Sequence, residues 1–367
     1  MKKVMLVFGT RPEAIKMCPL ALEIKKSGTL KPVVCVTGQH REMLQQVLDI
    51  FHVEPEYNLE VMKPGQDLND ITSAVLLGMR EIIKKEKPDA VLVHGDTTTA
   101  YASAVAAFYQ QIPVGHVEAG LRTWNLYSPF PEEFNRQSIS LLAQWHFAPT
   151  EVAKEHLLRE GKSPETIYVT GNTGIDAMRY TVSPHFTHPI LSWAEGSRML
   201  LITAHRRENL GSPMHAMFRG IRRIVEAFED VKAVYPVHLN PLVQQAAREE
   251  LSGCDRIRLI EPLDAVSFHN LMARSYLILT DSGGIQEEAP SLKKPVLVMR
   301  DTTERPEGVE AGTLCLVGTD EQVIYEKCHE LLCDQKVYQS MCDAVNPYGD
   351  GKASIRIRKA IENALKE

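Results

Sequence analysis

The chain has 367 residues, 44% of them hydrophobic and 24% charged, with 22 glycines and 21 prolines. That length and balance predict two globular domains and exclude a disordered or fibrous chain. Its 41 basic and 47 acidic residues leave a formal net charge of -6, which provides no general pull toward nucleic acid or an anionic membrane surface.

Seven cysteines, at 18, 35, 254, 315, 328, 333 and 342, include no Cys-x-x-Cys pair. Neither a disulfide framework nor a thiolate zinc site is indicated, and a reducing compartment is expected. The apolar run at residues 4–8, after Met1-Lys2-Lys3, is too short for an export core, and no run approaches membrane-spanning length. The expectation is a soluble, cytoplasmic protein.

Along the chain, apolar runs at residues 4–8, 33–37, 90–94, 114–117, 146–148 and 168–170 alternate with helix-period segments at 43–51, 68–85 and 100–110. A second series of runs follows at 199–203, 233–237, 257–260, 277–280, 296–299 and 314–317. Runs rich in Val, Ile and Leu with no polar face are what a parallel strand covered on both sides requires. Two series of βα units predict an α/β protein of two doubly wound parallel-sheet domains, 1–172 and 173–351. The join is expected near 171–197, where Pro184, Pro189 and Gly196 interrupt any periodicity, and residues 352–366 read as a basic amphipathic helix.

In open parallel sheets the ligand lies beyond the C-terminal ends of the strands. Just past those ends stand Gly9-Thr10-Arg11-Pro12-Glu13, Gly95-Asp96-Thr97-Thr98 and Glu118-Ala119-Gly120 in the first half. The second half offers Ala204-His205-Arg206-Arg207-Glu208, His238-Leu239-Asn240-Pro241 and Asp281-Ser282-Gly283-Gly284. Glycines and ionisable residues therefore gather on one edge of each sheet, and the two edges would line a central cleft if they faced each other.

Ser282, Gly283 and Gly284 lead from a strand into a helix, where free N–H groups and the helix dipole can hold a phosphate. Glu288, about one turn on, is within reach of a ribose hydroxyl. The Gly9 turn puts Pro12 at the first helical position, and Arg11 and Lys16 could neutralise a diphosphate. That turn lacks the G-x-G-x-x-G spacing of a dinucleotide fold, and no Walker sequence occurs in the chain. Asp96, Glu118 and Glu132 are three carboxylates suited to acid and base work, because mutual repulsion and burial separate their pKa values. Alone, each would be an ordinary helix cap or solvated charge; with His205 they make a constellation. Neither a His-x-x-x-His pair nor an H-E-x-x-H sequence occurs, so no metal site is expected.

The strings Gly9-Thr10-Arg11-Pro12-Glu13-Ala14-Ile15-Lys16-Met17, Val93-His94-Gly95-Asp96-Thr97-Thr98-Thr99 and Gly115-His116-Val117-Glu118-Ala119-Gly120-Leu121-Arg122-Thr123 resemble those of the non-hydrolysing UDP-N-acetylglucosamine 2-epimerases. So do His205-Arg206-Arg207-Glu208, Tyr235-Pro236-Val237-His238-Leu239-Asn240-Pro241, residues 280–290, residues 298–307 and Asn346-Pro347-Tyr348-Gly349-Asp350-Gly351. The matches run in family order over nearly the whole chain.

The resemblance implies the glycosyltransferase-B architecture, with the last helix, 352–367, packing back on the first domain. It implies reversible conversion of UDP-N-acetylglucosamine to UDP-N-acetylmannosamine by a cytoplasmic homodimer, without nicotinamide, metal or other cofactor, supplying a precursor for surface polysaccharide. By motif, Asp96, Glu118, Glu132 and His205 match catalytic positions. Arg11, Lys16, Arg136, Leu263, Phe268, Ser282, Gly283, Gly284, Glu288 and Arg305 match substrate-binding ones. Gln39, His40 and Gln66 fall where some relatives have an allosteric UDP-N-acetylglucosamine site.

Overall fold

In the first strand, β1 (Lys2–Phe8), side chains divide between two cores. Val4, Leu6 and Phe8 join one apolar cluster, while Met5 and Val7 join another, as strand alternation requires of a sheet covered on both faces. The computed structural model describes residues 1–38 and 41–366. From β1 the chain continues through α1 (Arg11–Lys25), β2 (Leu30–Val36), α2 (Arg41–Phe51), β3 (Tyr57–Asn58), α3 (Leu68–Glu86) and β4 (Ala90–His94). Next come α4 (Thr98–Tyr109), β5 (Val114–Val117), α5 (Glu132–Leu142), β6 (Trp145–Ala148), α6 (Glu151–Arg159), β7 (Ile167–Val169) and α7 (Thr173–Thr181).

The second series runs α8 (Pro189–Trp193), β8 (Arg198–Thr203), α9 (Ser212–Ala227), β9 (Val231–Pro236), α10 (Pro241–Leu251), β10 (Ile257–Ile260) and α11 (Ala265–Arg274). It ends with β11 (Leu277–Thr280), α12 (Gly283–Glu288), β12 (Val296–Val298), α13 (Pro306–Glu310), β13 (Leu314–Leu316), α14 (Glu321–Cys333), α15 (Gln335–Asp343) and α16 (Ala353–Ala364).

The strands form a seven-stranded sheet of order β3-β2-β1-β4-β5-β6-β7 and a six-stranded sheet of order β10-β9-β8-β11-β12-β13. Every pairing between them is parallel. This is the doubly wound two-sheet fold read from the sequence. Two compact units result: Met1–Tyr180 with Tyr348–Glu367, and Thr181–Pro347.

Ile357 and Ile361 of α16 enter the first unit's core beside Met17 and Leu20 of α1. Asp176 fixes the start of that helix, its carboxylate accepting from the Ala353 and Ser354 N–H groups at 3.1 and 2.8 Å. The stretch 181–197 is not wholly irregular, because α8 lies within it, capped by the His188 ring at the Ile190 N–H. Among the described residues no helix is long and apolar enough to cross a membrane.

Candidate active site

The first sheet changes winding direction between β1 and β4, so the loops leaving those neighbouring strands diverge and open a crevice between them. Thr10, after β1, caps α1 in a capping box with Glu13. Glu13 is almost fully buried, and its carboxylate accepts from the Gly9 N–H at 3.0 Å and from the Thr10 N–H at 2.8 Å. It also accepts from the Thr97 hydroxyl at 2.7 Å, tying the turn after β1 to the turn after β4. Burial raises the Glu13 pKa, with these hydrogen bonds opposing. Arg11 opens the helix and Pro12 stands second in it, one place later than the sequence reading had it; there too a missing N–H costs nothing.

Asp96 and Glu118 follow the adjacent strands β4 and β5, and Glu132 begins α5. Asp96 Oδ2 meets an Arg136 guanidinium nitrogen at 2.8 Å, while Asn135 donates to the Asp96 carbonyl at 2.8 Å. Glu118 sits at φ 62°, a left-handed conformation uncommon for a residue with a side chain. One of its oxygens pairs with the Lys16 ammonium, and the other lies 3.6 Å from Nε2 of the buried His94. The Asn172 amide approaches Glu118 at 3.5 Å. Lys16, read from the sequence as a diphosphate contact, is therefore bound to a carboxylate here.

Burial pushes the Asp96 pKa up to about 6. Arg136 and Lys16 oppose the shift, and the charges of Glu118 and Glu132 add to it. Asp96, Glu118 and Glu132 thus share one electrostatic environment with two cations. Beneath them Glu133 is fully buried; burial would raise its pKa, but bonds from Gln137 and the Thr123 and Trp124 N–H groups outweigh that and hold it low. Gly120 is required for close packing: a Cβ there would stand 2.2 Å from the Ala153 carbonyl oxygen.

The second sheet reverses between β8 and β11. Asp281, fully buried at the end of β11, accepts from the His205 and Arg206 N–H groups, both at 2.9 Å, and so fixes the turn after β8. The His205 ring has Nδ1 3.4 Å from Asp281 Oδ1 and stacks on His238 with centroids 5.4 Å apart. Burial lowers the His205 pKa, against the pull of Asp281, so the imidazole tends toward neutrality.

Ser282 precedes α12 without its hydroxyl capping that helix. Gly283 lies against Arg305: a Cβ on it would stand 3.1 Å from the guanidinium carbon. Arg305 is held there by Glu287 at 2.8 Å. Gly284 is exposed. Glu288 ends α12 with Oε2 3.7 Å from Nε2 of buried His269, whose Nδ1 is 2.8 Å from the Thr181 hydroxyl. Leu263 precedes α11 and Phe268 lies on it, both half-buried. In the first unit Lys16, Asp96, Glu118, Glu132 and Arg136 come together at the switch point. In the second, Asp281 fixes the turn that carries His205, and Arg305 lies against Gly283. Gln66 is in the turn before α3, accepting from the Lys63 N–H at 2.5 Å, and Gln39 and His40 lie outside the described residues.

A sequence profile of the UDP-N-acetylglucosamine 2-epimerase family matches residues 22–362. The chain belongs to that family. The UDP-N-acetylglucosamine 2-epimerase of Bacillus subtilis (strain 168) is 61% identical over 355 residues, covering 97% of this chain and 93% of the relative. A crystal structure from Listeria monocytogenes superposes with a TM-score of 0.97 at 55% identity, covering 100% of this chain and 97% of the other. The UDP-GlcNAc 2-epimerase from Neisseria meningitidis, solved bound to UDP-GlcNAc, gives a TM-score of 0.86 at 49% identity, each chain covered in full at 100%. Family membership makes the protein an isomerase of glycosyltransferase-B architecture, as the motif strings imply.

Several residues that build this epimerase-family site were not singled out from sequence. Glu13 was legible in principle, as the glutamate of the Thr10-x-x-Glu13 capping box. His94 carried no such signal, because what marks it is burial at a strand end. Asp281 reads from sequence as part of the glycine-rich turn after its strand, and its role in fixing the turn after β8 comes only with the structure. Asn135, Asn172 and His269 act through partners distant in sequence, which spacing does not reveal.

Proposed function

We propose that this protein interconverts UDP-N-acetylglucosamine and UDP-N-acetylmannosamine by eliminating UDP and adding it back to a glycal. The single observation carrying this reading is the set of Asp96, Glu118 and Glu132 with Lys16 and Arg136 at the switch point of the first sheet. Relatives with 50–61% identity that bear the name UDP-N-acetylglucosamine 2-epimerase support the substrate.

Carbon 2 of the sugar bears no carbonyl, so its proton is not acidic enough for simple removal. As the bond from carbon 1 to UDP breaks, UDP leaves with the electron pair and carbon 1 becomes oxocarbenium-like, which acidifies the neighbouring C–H. A carboxylate takes that proton from the face opposite the leaving group, and the carbon 1–carbon 2 double bond forms. Reprotonation from the other face with return of UDP inverts carbon 2. Two faces require more than one acid/base group, and a carboxyl pKa near 6 suits a group that must both take and give a proton near neutrality.

In this scheme Ser282, Gly283, Gly284, Arg305 and His205 bind the diphosphate and stabilise its charge on departure. Glu288 holds the ribose, Leu263 and Phe268 the uracil, and Arg11 a further part of the substrate. No net oxidation occurs, so the scheme calls for no nicotinamide, and the cations supply the charge stabilisation. The seven free cysteines agree with a reducing cytoplasm, where the product would feed surface-polysaccharide synthesis. A homodimer agrees with the large apolar side chains that α3, α4 and α5 leave exposed, Leu77, Phe108, Tyr109 and Leu141 among them; light scattering giving a monomer would remove it.

The test is purified protein with UDP-N-acetylglucosamine alone, followed by proton NMR. Appearance of UDP-N-acetylmannosamine without any acceptor supports the proposal. Free N-acetylmannosamine with UDP would show a hydrolysing enzyme, and turnover that needs an acceptor would show a glycosyltransferase; either result overturns it.

A further inference from the structure

His94 is the last residue of β4, immediately before the Gly95-Asp96 turn. Its side chain is 5% exposed, and Nε2 is buried with no hydrogen-bond partner, 3.6 Å from Glu118 Oε2. Buried nitrogens in proteins are seldom left unpaired, and one aimed at a carboxylate in a reacting cluster calls for an explanation. The other Glu118 oxygen is already held by Lys16 from α1, and the Asn172 amide approaches from beyond β7. Asp96 lies two residues along the chain from His94, with Glu132 and Arg136 contributed by α5. His116, from β5, holds the Gly95 carbonyl at 2.7 Å and fixes the backbone that follows His94.

We propose that His94 is a positioning residue for Glu118: a neutral imidazole whose Nε2–H steadies one carboxylate oxygen while Lys16 holds the other. This rests on the epimerase reading, in which the carboxylates hold the carbon 2 proton. A charged imidazole would compete with Lys16 for the same carboxylate. Burial brings the His94 pKa down to about 4, against the pull of the Glu118 charge and with the Lys16 charge adding to it, and keeps the ring neutral near pH 7. A neutral donor stabilises ionised Glu118 through its N–H dipole without clamping it as a second cation would. Glu118 can then be protonated and deprotonated within one turnover while its two oxygens stay in place.

Two variants separate positioning from packing. His94→Leu fills the site but removes the donor, whereas His94→Gln keeps an N–H of similar reach. For His94→Leu we expect kcat to fall roughly 10–100-fold, the size usual for losing a group that orients a functional residue, with KM and UDP affinity unchanged. The Glu118 carboxyl, followed by carbon-13 NMR and assigned with Glu118→Gln, should titrate at higher pH in His94→Leu than in the unmodified protein. His94→Gln should restore most of the rate and reverse the titration shift.

The inference is overturned if His94→Leu leaves both kcat and the Glu118 titration unmoved. It is also overturned if both variants lose rate equally with the titration unmoved, which is the mark of a packing role. If the unmodified protein forms no epimer, the epimerase reading fails instead, and the NMR titration still decides whether His94 acts on Glu118.

Discussion

Arg136 is the cation closest to Asp96, and removing it should move the pH dependence of the reaction. Its guanidinium lies 2.8 Å from Asp96 Oδ2, with the arginine side chain 12% exposed and the aspartate 27%. Two unit charges about 4 Å apart interact by about 4 kcal/mol at an effective dielectric constant of 20, and about 1.4 kcal/mol corresponds to one pKa unit. Partial solvation of Asp96 reduces this, so a rise of about 1–3 units is expected when the arginine is lost. Asp96, now near 6, would be about nine-tenths ionised at pH 7; in Arg136→Met it would be half ionised or less.

The Asn135 bond to the Asp96 carbonyl keeps the turn in place, so the change is electrostatic and not a loss of position. Measured as kcat/KM against pH, the limb near 6 should move toward alkaline pH in Arg136→Met and largely return in Arg136→Lys, which keeps the charge. Carbon-13 NMR of the Asp96 carboxyl reads the same shift without turnover. An Asp96 that titrates near the usual aspartate value, or whose titration ignores Arg136→Met, would refute the reasoning.

The amide variants of Asp96, Glu118 and Glu132 should each slow epimerisation by about 10²–10⁴ while changing UDP affinity little, and full activity in all three would show that the wrong groups are named. Glu288→Ala should weaken UDP binding by about 1.5–3 kcal/mol in calorimetric titration, and unchanged affinity would remove the ribose assignment. His116, whose pKa burial lowers to about 3, stays neutral in the native state while the unfolded chain binds a proton below about pH 6.5, so its stability contribution is intact above that pH and is lost as pH falls toward 3. Denaturant titration of His116→Gln should show its stability relative to the unmodified protein improving by about 1.4 kcal/mol per pH unit through that window; a pH-independent difference would contradict the assignment.

The sheets and the strand ends were legible because buried parallel strands announce themselves as runs of Val, Ile and Leu, followed by glycine and charge. That is how the sequence marks the turns at Gly9, Gly95, Glu118 and Asp281. β3, two residues long, and α8, five residues long, are too short for periodicity to register. Pairing across long sequence separations was also hidden: Lys16 with Glu118 and Asp96 with Arg136 arise where helices α1 and α5 meet the turns after β5 and β4, and His269 with Glu288 where α11 meets α12. Burial at a strand end is what distinguishes His94 from an ordinary polar residue, and a single sequence does not display it.

The central claim is that carbon 2 loses and regains its hydrogen while UDP departs and returns. Turnover of unlabelled UDP-N-acetylglucosamine in deuterium oxide tests it, because the abstracted proton rests on a carboxyl group that exchanges with solvent. The UDP-N-acetylmannosamine formed should carry deuterium at carbon 2, with no acceptor and no nicotinamide present. Epimer that retains its original hydrogen at carbon 2 would contradict the claim.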